Sequence, residues 1–298
     1  MIIIAVLVFF TAVSLILLVM TVNKRTEADT ARVCLSVHNT ICGTADDVQR
    51  HIRADAIEEL PFAVHVYSHR GGSDGTAEEH STAAYDHAIK SGSVYIEQDI
   101  VISADGTLYV SHDTTPFRLT GTGGSFAQMH DSEIDALRTH QGNPILKLED
   151  VFKRYGGKVC YVVELKDGSA DKAFEELVKA FGYEDKVIVQ SFDADVLKNI
   201  EDVFPKMKKI FLCEYSAEMS AGLDMDYVDV LGVDKSLMSS DNCKLAHDCG
   251  KDFCVWTLDS ESEIRRAIEL GADTYFTNYT ERAMKLEREY RYRQNKSK

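Results

Sequence analysis

The stretch YIEQDIVISADGTLYVSHD, residues 95–113, carries both the fold and the chemistry of this chain. The run over 94–103 is rich in Ile and Val and reads as a strand, and ADG at 104–106 reads as the turn that follows. A second strand over 107–111 then delivers His112 and Asp113. Side chains alternate along a strand, so Glu97, Asp99 and Val101 share one face while Ile96, Gln98 and Ile100 share the other. Two acids on one face of a buried strand are costly unless a cation or a base neutralises them.

The same kind of apolar run recurs along the chain, at 62–67, 159–165, 187–191, 209–214, 227–233, 253–258 and 274–277. Between most of these runs lie segments of helical periodicity, at 81–90, 171–181, 193–203, 260–270 and 281–290. Ser91-Gly92, Tyr155-Gly156 and Leu270-Gly271 mark helix stops. Strands alternating with helices, without a break in composition, predict a parallel sheet covered by helices. Closed on itself, this is a single (β/α)8 TIM barrel over 61–290, followed by a basic tail at 291–298. An open doubly wound sheet is the competing arrangement, and the absence of a GxGxxG or Walker loop after the first strand counts against it. Residues 113–147, with Gly121, Gly123 and Gly124, read as an elaborated loop on the active rim.

The chain has 298 residues, 45% hydrophobic and 27% charged, which suits one barrel with an N-terminal extension. Its net charge of -15 argues against nucleic acid, so a phosphate-bearing ligand needs a local cationic or metal site. Residues 1–22, MIIIAVLVFFTAVSLILLVMTV, carry no charge and are long enough to cross a bilayer. No basic side chain precedes them and the cleavage context is poor, which favours an uncleaved transmembrane helix over a signal segment. Lys24, Arg25 and Arg32 then place the barrel on the cytoplasmic side of the membrane by the positive-inside rule. Residues 23–60 read as a linker with a short helix over 46–59. Seven cysteines without a CxxC imply neither a disulfide framework nor a zinc site, and Cys160, Cys213 and Cys254 are expected in the core.

The unusual residues fall at strand ends, where a barrel gathers its catalytic groups. SHRGG gives His69 and Arg70, and VVELKD gives Glu164 and Lys166 on one strand face. Glu97, Asp99 and Glu164 make an oxygen-rich set suited to Mg²⁺ or Ca²⁺. Arg70 and Lys166 could hold a phosphate, and His69 and His112 could act as base and acid. Each piece has an ordinary reading by itself: an exposed strand face, an internal ion pair, a flexible turn at 71–76. Their coincidence in order points instead to hydrolysis of a phosphate ester.

HRGGSDGTAEEHSTAAYDHAIKSG, then YIEQDIVISADGTLYVSHD, then VVELK, with SFD at 191–193, VWTLD at 255–259 and GADTYFTNY at 271–279, resemble the glycerophosphodiester phosphodiesterases. The resemblance covers about 64–282 and implies the same (β/α)8 barrel. It implies that His69 and His112 are the catalytic histidines, the latter protonating the leaving group. It further implies Glu97, Asp99 and Glu164 as ligands of a divalent metal, Ca²⁺ or Mg²⁺, with Arg70 and Lys166 on the phosphate. The implied products are sn-glycerol 3-phosphate and an alcohol. Where the family has PENT or PEHT, this chain reads EEHS at 78–81. Glu79 keeps the acid and is expected to assist around the metal and His69, while the missing proline puts the loop's rigidity in question. Other readings are a lysophospholipase D-type action on lipids near the membrane, a phosphoinositide-type phospholipase, and a non-catalytic phosphate-binding barrel tethered to the membrane.

Overall fold

The computed structural model describes residues 65–296, so the apolar run at 1–22 and the linker with its helix at 46–59 lie outside the described residues. Nine strands run in chain order: β1 (His65–Ser68), β2 (Tyr95–Ile102), β3 (Leu108–Val110), β4 (Cys160–Leu165), β5 (Val187–Ser191), β6 (Lys208–Cys213), β7 (Val230–Asp234), β8 (Asp252–Trp256) and β9 (Thr274–Thr277). Their order is β1-β9-β8-β7-β6-β5-β4-β2-β3, and pairing of β1 with β2 closes the ring. Every pair around the ring is parallel, whereas β3 folds back antiparallel on the outer half of β2. The result is the expected closed barrel of eight parallel strands.

Eight longer helices surround it: α1 (Thr82–Lys90), α2 (Leu148–Tyr155), α3 (Asp171–Phe181), α4 (Ala194–Val203), α5 (Ser216–Leu223), α6 (Ser240–Asp248), α7 (Glu261–Leu270) and α8 (Thr280–Lys296). Alternation along each strand builds two cores at once. Ile96, Ile100, Tyr161, Val163, Leu165 and Val189 face outward and pack with Phe152, Phe174, Val178 and Leu197 of the helices. Tyr67, Tyr95, Val162, Ile188, Ile210, Leu212 and Phe276 face inward and fill the barrel. Parallel strands covered on both faces read as nearly continuous apolar runs, which is why they stand out in the sequence. Cys160, Cys213 and Cys254 are buried as expected.

Toward the C-terminal ends of the strands the inward positions turn polar. Asp99 lies opposite Glu164 across β2 and β4, and Glu164 opposite Gln190 across β4 and β5. The rim loop after β3 has a small core of its own, Val101, Tyr109, Phe126, Ile134 and Ile145. Helix ends follow local chemistry. The Ser81 hydroxyl accepts from the Ala84 N–H and caps α1, and Ser260 with Glu263 forms a capping box on α7. The change from Thr to Ser in EEHS therefore leaves the cap in place. In lieu of the proline, Glu78 accepts from Asn143 at 2.8 Å and from Thr139, tying this loop to the rim segment.

The turn after β1 requires its two glycines. Gly71 sits at φ +94, where a Cβ would come within 2.6 Å of the Ala84 Cβ, and Gly72 sits at φ +48, where it would meet the Thr280 hydroxyl. Gly75, at φ +76, has open space around it. Gly71→Ala is therefore expected to lose roughly 2–4 kcal/mol, strain and clash together, and Gly75→Ala roughly 1 kcal/mol from strain alone. Urea unfolding of the two variants checks this, and equal losses would contradict it.

Candidate active site

The site grows from the turn that follows β1. Arg70 takes a left-handed backbone conformation, φ 51, which directs its N–H onto Glu97 Oε2 at 2.7 Å. His80, just before α1, is also left-handed at φ 55, and its N–H donates to the Arg70 carbonyl at 2.8 Å. Non-glycine residues in this region cluster at functional sites, where surrounding contacts hold them. Here the contacts are carboxylates.

Glu97 and Asp99 are 1% exposed, so their charges are almost wholly removed from water. Asp99 accepts from His80 Nε2 at 2.9 Å and from Lys166 Nζ at 3.0 Å, with Arg70 Nε 3.4 Å away. Burial pushes its carboxyl up, but the His80 hydrogen bond and the Lys166 and Arg70 charges outweigh this and hold it well below the usual range. Glu97 fares differently: burial and the neighbouring Asp99 charge push it well above the usual range, despite the Arg70 N–H. Burial and Asp99 likewise push Glu164 up to about 7. Lys166 bridges Asp99 and Glu164, at 3.0 and 2.8 Å. Burial pulls its ammonium down, and the two carboxylates more than reverse that.

This donor set fits a divalent cation. His80, Glu97 and Asp99 each offer a ligand atom, all within 4.8 Å of one another and all buried. Burial and mutual repulsion raise Glu97 and Glu164 above the ordinary carboxylate range, and a divalent ion would relieve both. The Lys166 ammonium between Asp99 and Glu164 occupies the place of a positive charge. Sequence reasoning included Glu164 in the metal set and omitted His80. The structure puts His80 directly on Asp99, with its Nδ1 on the Tyr85 hydroxyl at 3.0 Å. Burial lowers the His80 pKa. The neutral ring then donates from Nε2 to Asp99 and accepts at Nδ1.

His69, Arg70, Glu97, His112 and Glu164 line one cavity of about 150 Å³ at the C-terminal mouth of the barrel, with Gln190, Phe192, Leu212 and Trp256. Lys166 lies outside that lining, held between its two carboxylates. Glu79 bonds Arg70 Nη1 at 3.3 Å and Arg118, so it sits on the guanidinium side of the site rather than on His69. Arg70 Nε is buried and lies 3.4 Å from Asp99 Oδ2, an ion pair without a hydrogen bond. Gln190 Nε2 steadies Glu97 Oε1 at 3.2 Å.

The two histidines have opposite partners. His69 Nδ1 donates to Asn278 Oδ1 at 2.8 Å, and Asn278 is fixed in turn by donating from Nδ2 to Asp259 at 3.0 Å. Burial, then the adjacent Arg70 charge, push His69 down to about 4, so it is neutral near pH 7. His112 Nδ1 instead donates to the Asp113 carboxylate at 2.7 Å, in a ring that is 41% exposed. In both rings this leaves Nε2 for the cavity. Asn278 and Asp259 lie in the GADTYFTNY and VWTLD motifs, but their partnership with His69, like the places of Gln190 and Arg118, depends on the closed barrel.

Residues 69–282 match the sequence profile of the glycerophosphoryl diester phosphodiesterase family. A glycerophosphodiester phosphodiesterase of Bacillus subtilis is 24% identical over 261 residues, spanning 77% of this chain and 88% of its own length. Among solved structures, a glycerophosphodiester phosphodiesterase of Thermotoga maritima superposes with a TM-score of 0.65 at 25% identity, over 75% of this chain and 98% of that one. A phosphodiesterase of Oleispira antarctica, in complex with the product sn-glycerol-3-phosphate, superposes with a TM-score of 0.67 at 22% identity, over 78% and 98%.

The raised Glu164 has a consequence for stability. Its folded pKa of about 7 lies above the ordinary 4.5, so its contribution is fully present below about pH 4.5 and is lost as pH rises through about 7. Glu164→Gln removes that dependence. In chelator, the variant is expected to match the parent near pH 5 and to exceed it by roughly 1–3 kcal/mol at pH 8. Denaturant unfolding at both pH values tests this; a gain independent of pH would contradict it.

Proposed function

Because the chain belongs to the glycerophosphoryl diester phosphodiesterase family and is a phosphodiesterase acting on glycerophosphodiesters, we propose that it releases sn-glycerol 3-phosphate and an alcohol by paired-histidine catalysis. The observation that supports the division of labour is the opposite partnering of His69 and His112 on one cavity. His69, buried and bonded to a neutral amide, keeps a lone pair on Nε2 and takes the proton of the attacking hydroxyl. That hydroxyl belongs to water, or to the 2-position of the glycerol, in which case a cyclic phosphate forms that water then opens to glycerol 3-phosphate. His112, oriented by the Asp113 carboxylate on its Nδ1, gives a proton from Nε2 to the leaving alcohol oxygen as the P–O bond breaks. Arg70, its guanidinium steadied by Glu79 and Asp99, holds a non-bridging oxygen, and Lys166 supports it from behind Asp99.

Glu97 and Asp99, two of the three clustered donors, would hold the divalent ion, Ca²⁺ or Mg²⁺, with Glu164 beside Asp99 on the next strand as third ligand and His80 orienting Asp99. Such an ion offsets the charge that gathers on the non-bridging oxygens. We further infer attachment to a membrane through the charge-free run at 1–22, with the barrel on the cytoplasmic side. Among the described residues no helix is long and apolar enough to cross a membrane.

The test is release of glycerol 3-phosphate from glycerophosphocholine by the full chain with Mg²⁺, with Ca²⁺ and with EDTA. Release is expected with one of the ions and not with EDTA. His69→Ala and His112→Ala are each expected to lower kcat by roughly 10²–10⁴-fold. Full turnover in EDTA would remove the metal from the account, and undiminished turnover in both variants would remove the histidines.

A further inference from the structure

The one-turn helix at Phe117–Thr120, in the rim loop after β3, buries none of its residues, yet it carries a guanidinium at the centre of an ion-pair chain. Arg118 Nε donates to Asp113 Oδ2 at 2.5 Å, while the other oxygen of the same carboxylate, Oδ1, accepts from His112 Nδ1 at 2.7 Å. Arg118 Nη2 also donates to Glu79 Oε1, and Glu79 Oε2 accepts from Arg70 Nη1. The chain His112–Asp113–Arg118–Glu79–Arg70 thus joins the loop bearing one catalytic histidine to the turn bearing the other. We propose that Arg118 is a positioning residue for the leaving-group step, clamping Asp113 so that the His112 ring presents Nε2 to the departing alcohol oxygen. This rests on the reading of His112 as the acid.

The physical case has three parts. Asp113 has only two oxygens, and with one fixed by a planar, always-charged fork, its rotation is restrained and Oδ1 stays on His112. Without Arg118, a carboxylate that is 28% exposed turns toward water and the ring loses its reference. Second, the same fork satisfies Glu79, so that Glu79 does not draw the Arg70 guanidinium away from the cavity. Third, Arg118 is 45% exposed and stands over no core, and ion pairs so exposed contribute little to stability. A functional role is therefore separable from a folding role.

The experiment compares two substrates that differ in how much their leaving group needs a proton. Glycerophosphocholine releases an aliphatic alcohol, which leaves only if protonated; glycerophospho-p-nitrophenol releases a phenolate, which leaves unaided. His112→Ala is the reference and should lose roughly 10²–10⁴-fold in kcat on the first and far less on the second. Arg118→Ala is expected to show the same asymmetry in weaker form, roughly 10–10²-fold against about threefold or less, a part of what a positioned acid supplies. KM should stay nearly constant, the melting curve should be close to that of the parent, and Arg118→Lys should recover only part of the loss. Equal losses on both substrates, or a raised KM with kcat intact, would overturn the positioning role. Loss of the asymmetry in His112→Ala itself would overturn the acid assignment and this inference with it. Asymmetry in His112→Ala without any in Arg118→Ala would overturn the inference alone.

Discussion

Three carboxylates held at the inner rim of a closed barrel are the constraint around which this structure is arranged. Glu97, Asp99 and Glu164 point inward because alternate residues of adjacent parallel strands share a face. Removing such charges from water is expensive, and the neighbouring residues are placed to offset it. Lys166 bridges Asp99 and Glu164, His80 donates to Asp99, and the Arg70 N–H donates to Glu97. The left-handed backbones of Arg70 and His80 follow from that requirement. So do Gly71 and Gly72, since the turn that presents His69 and Arg70 must pass close against α1 and Thr280.

The same arrangement sets two imidazoles in unlike surroundings beside one cavity. Burial and the adjacent Arg70 charge keep His69 neutral, with its Nδ1 on the Asn278 amide oxygen, whereas His112 is part-exposed with its Nδ1 on the Asp113 carboxylate. In the proposed reaction one ring accepts a proton and the other donates one, and unlike partners favour that division. The partners come from far apart in the chain. Asn278 follows β9, while Asp113 is the residue after His112, so ring closure is what brings both partners to one cavity.

Much of this was legible in the sequence. Strand alternation placed Glu97 and Asp99 on one face and Ile96 and Ile100 on the other, because a buried parallel strand leaves a periodic trace. The strand ends gave His69, His112, Glu164 and Arg70, and the structure brings these four to one cavity. Lys166 was expected beside the phosphate, and its ammonium also bridges Asp99 and Glu164; spacing shows a shared face but not which neighbours a side chain finds there. His80 was overlooked as a partner of Asp99, since its contact depends on a backbone turn that residue types do not announce. Glu78 was read only as a missing proline, yet it ties Thr139 and Asn143 to the EEHS loop. Arg118 lies in a rim loop without periodicity, and its role depends on what folds against it. Alternation is written locally, whereas charge compensation is settled by the closed ring.

The central claim, that the buried carboxylates are arranged around a divalent cation, is tested most directly by calorimetric titration of Mg²⁺ and of Ca²⁺ into the metal-stripped protein. The account predicts one ion bound per chain, with protons released as Glu97 and Glu164 ionise, and loss of binding in an Asp99→Asn variant that keeps the parent circular dichroism spectrum. Absence of binding, or binding that Asp99→Asn leaves unchanged, would contradict it.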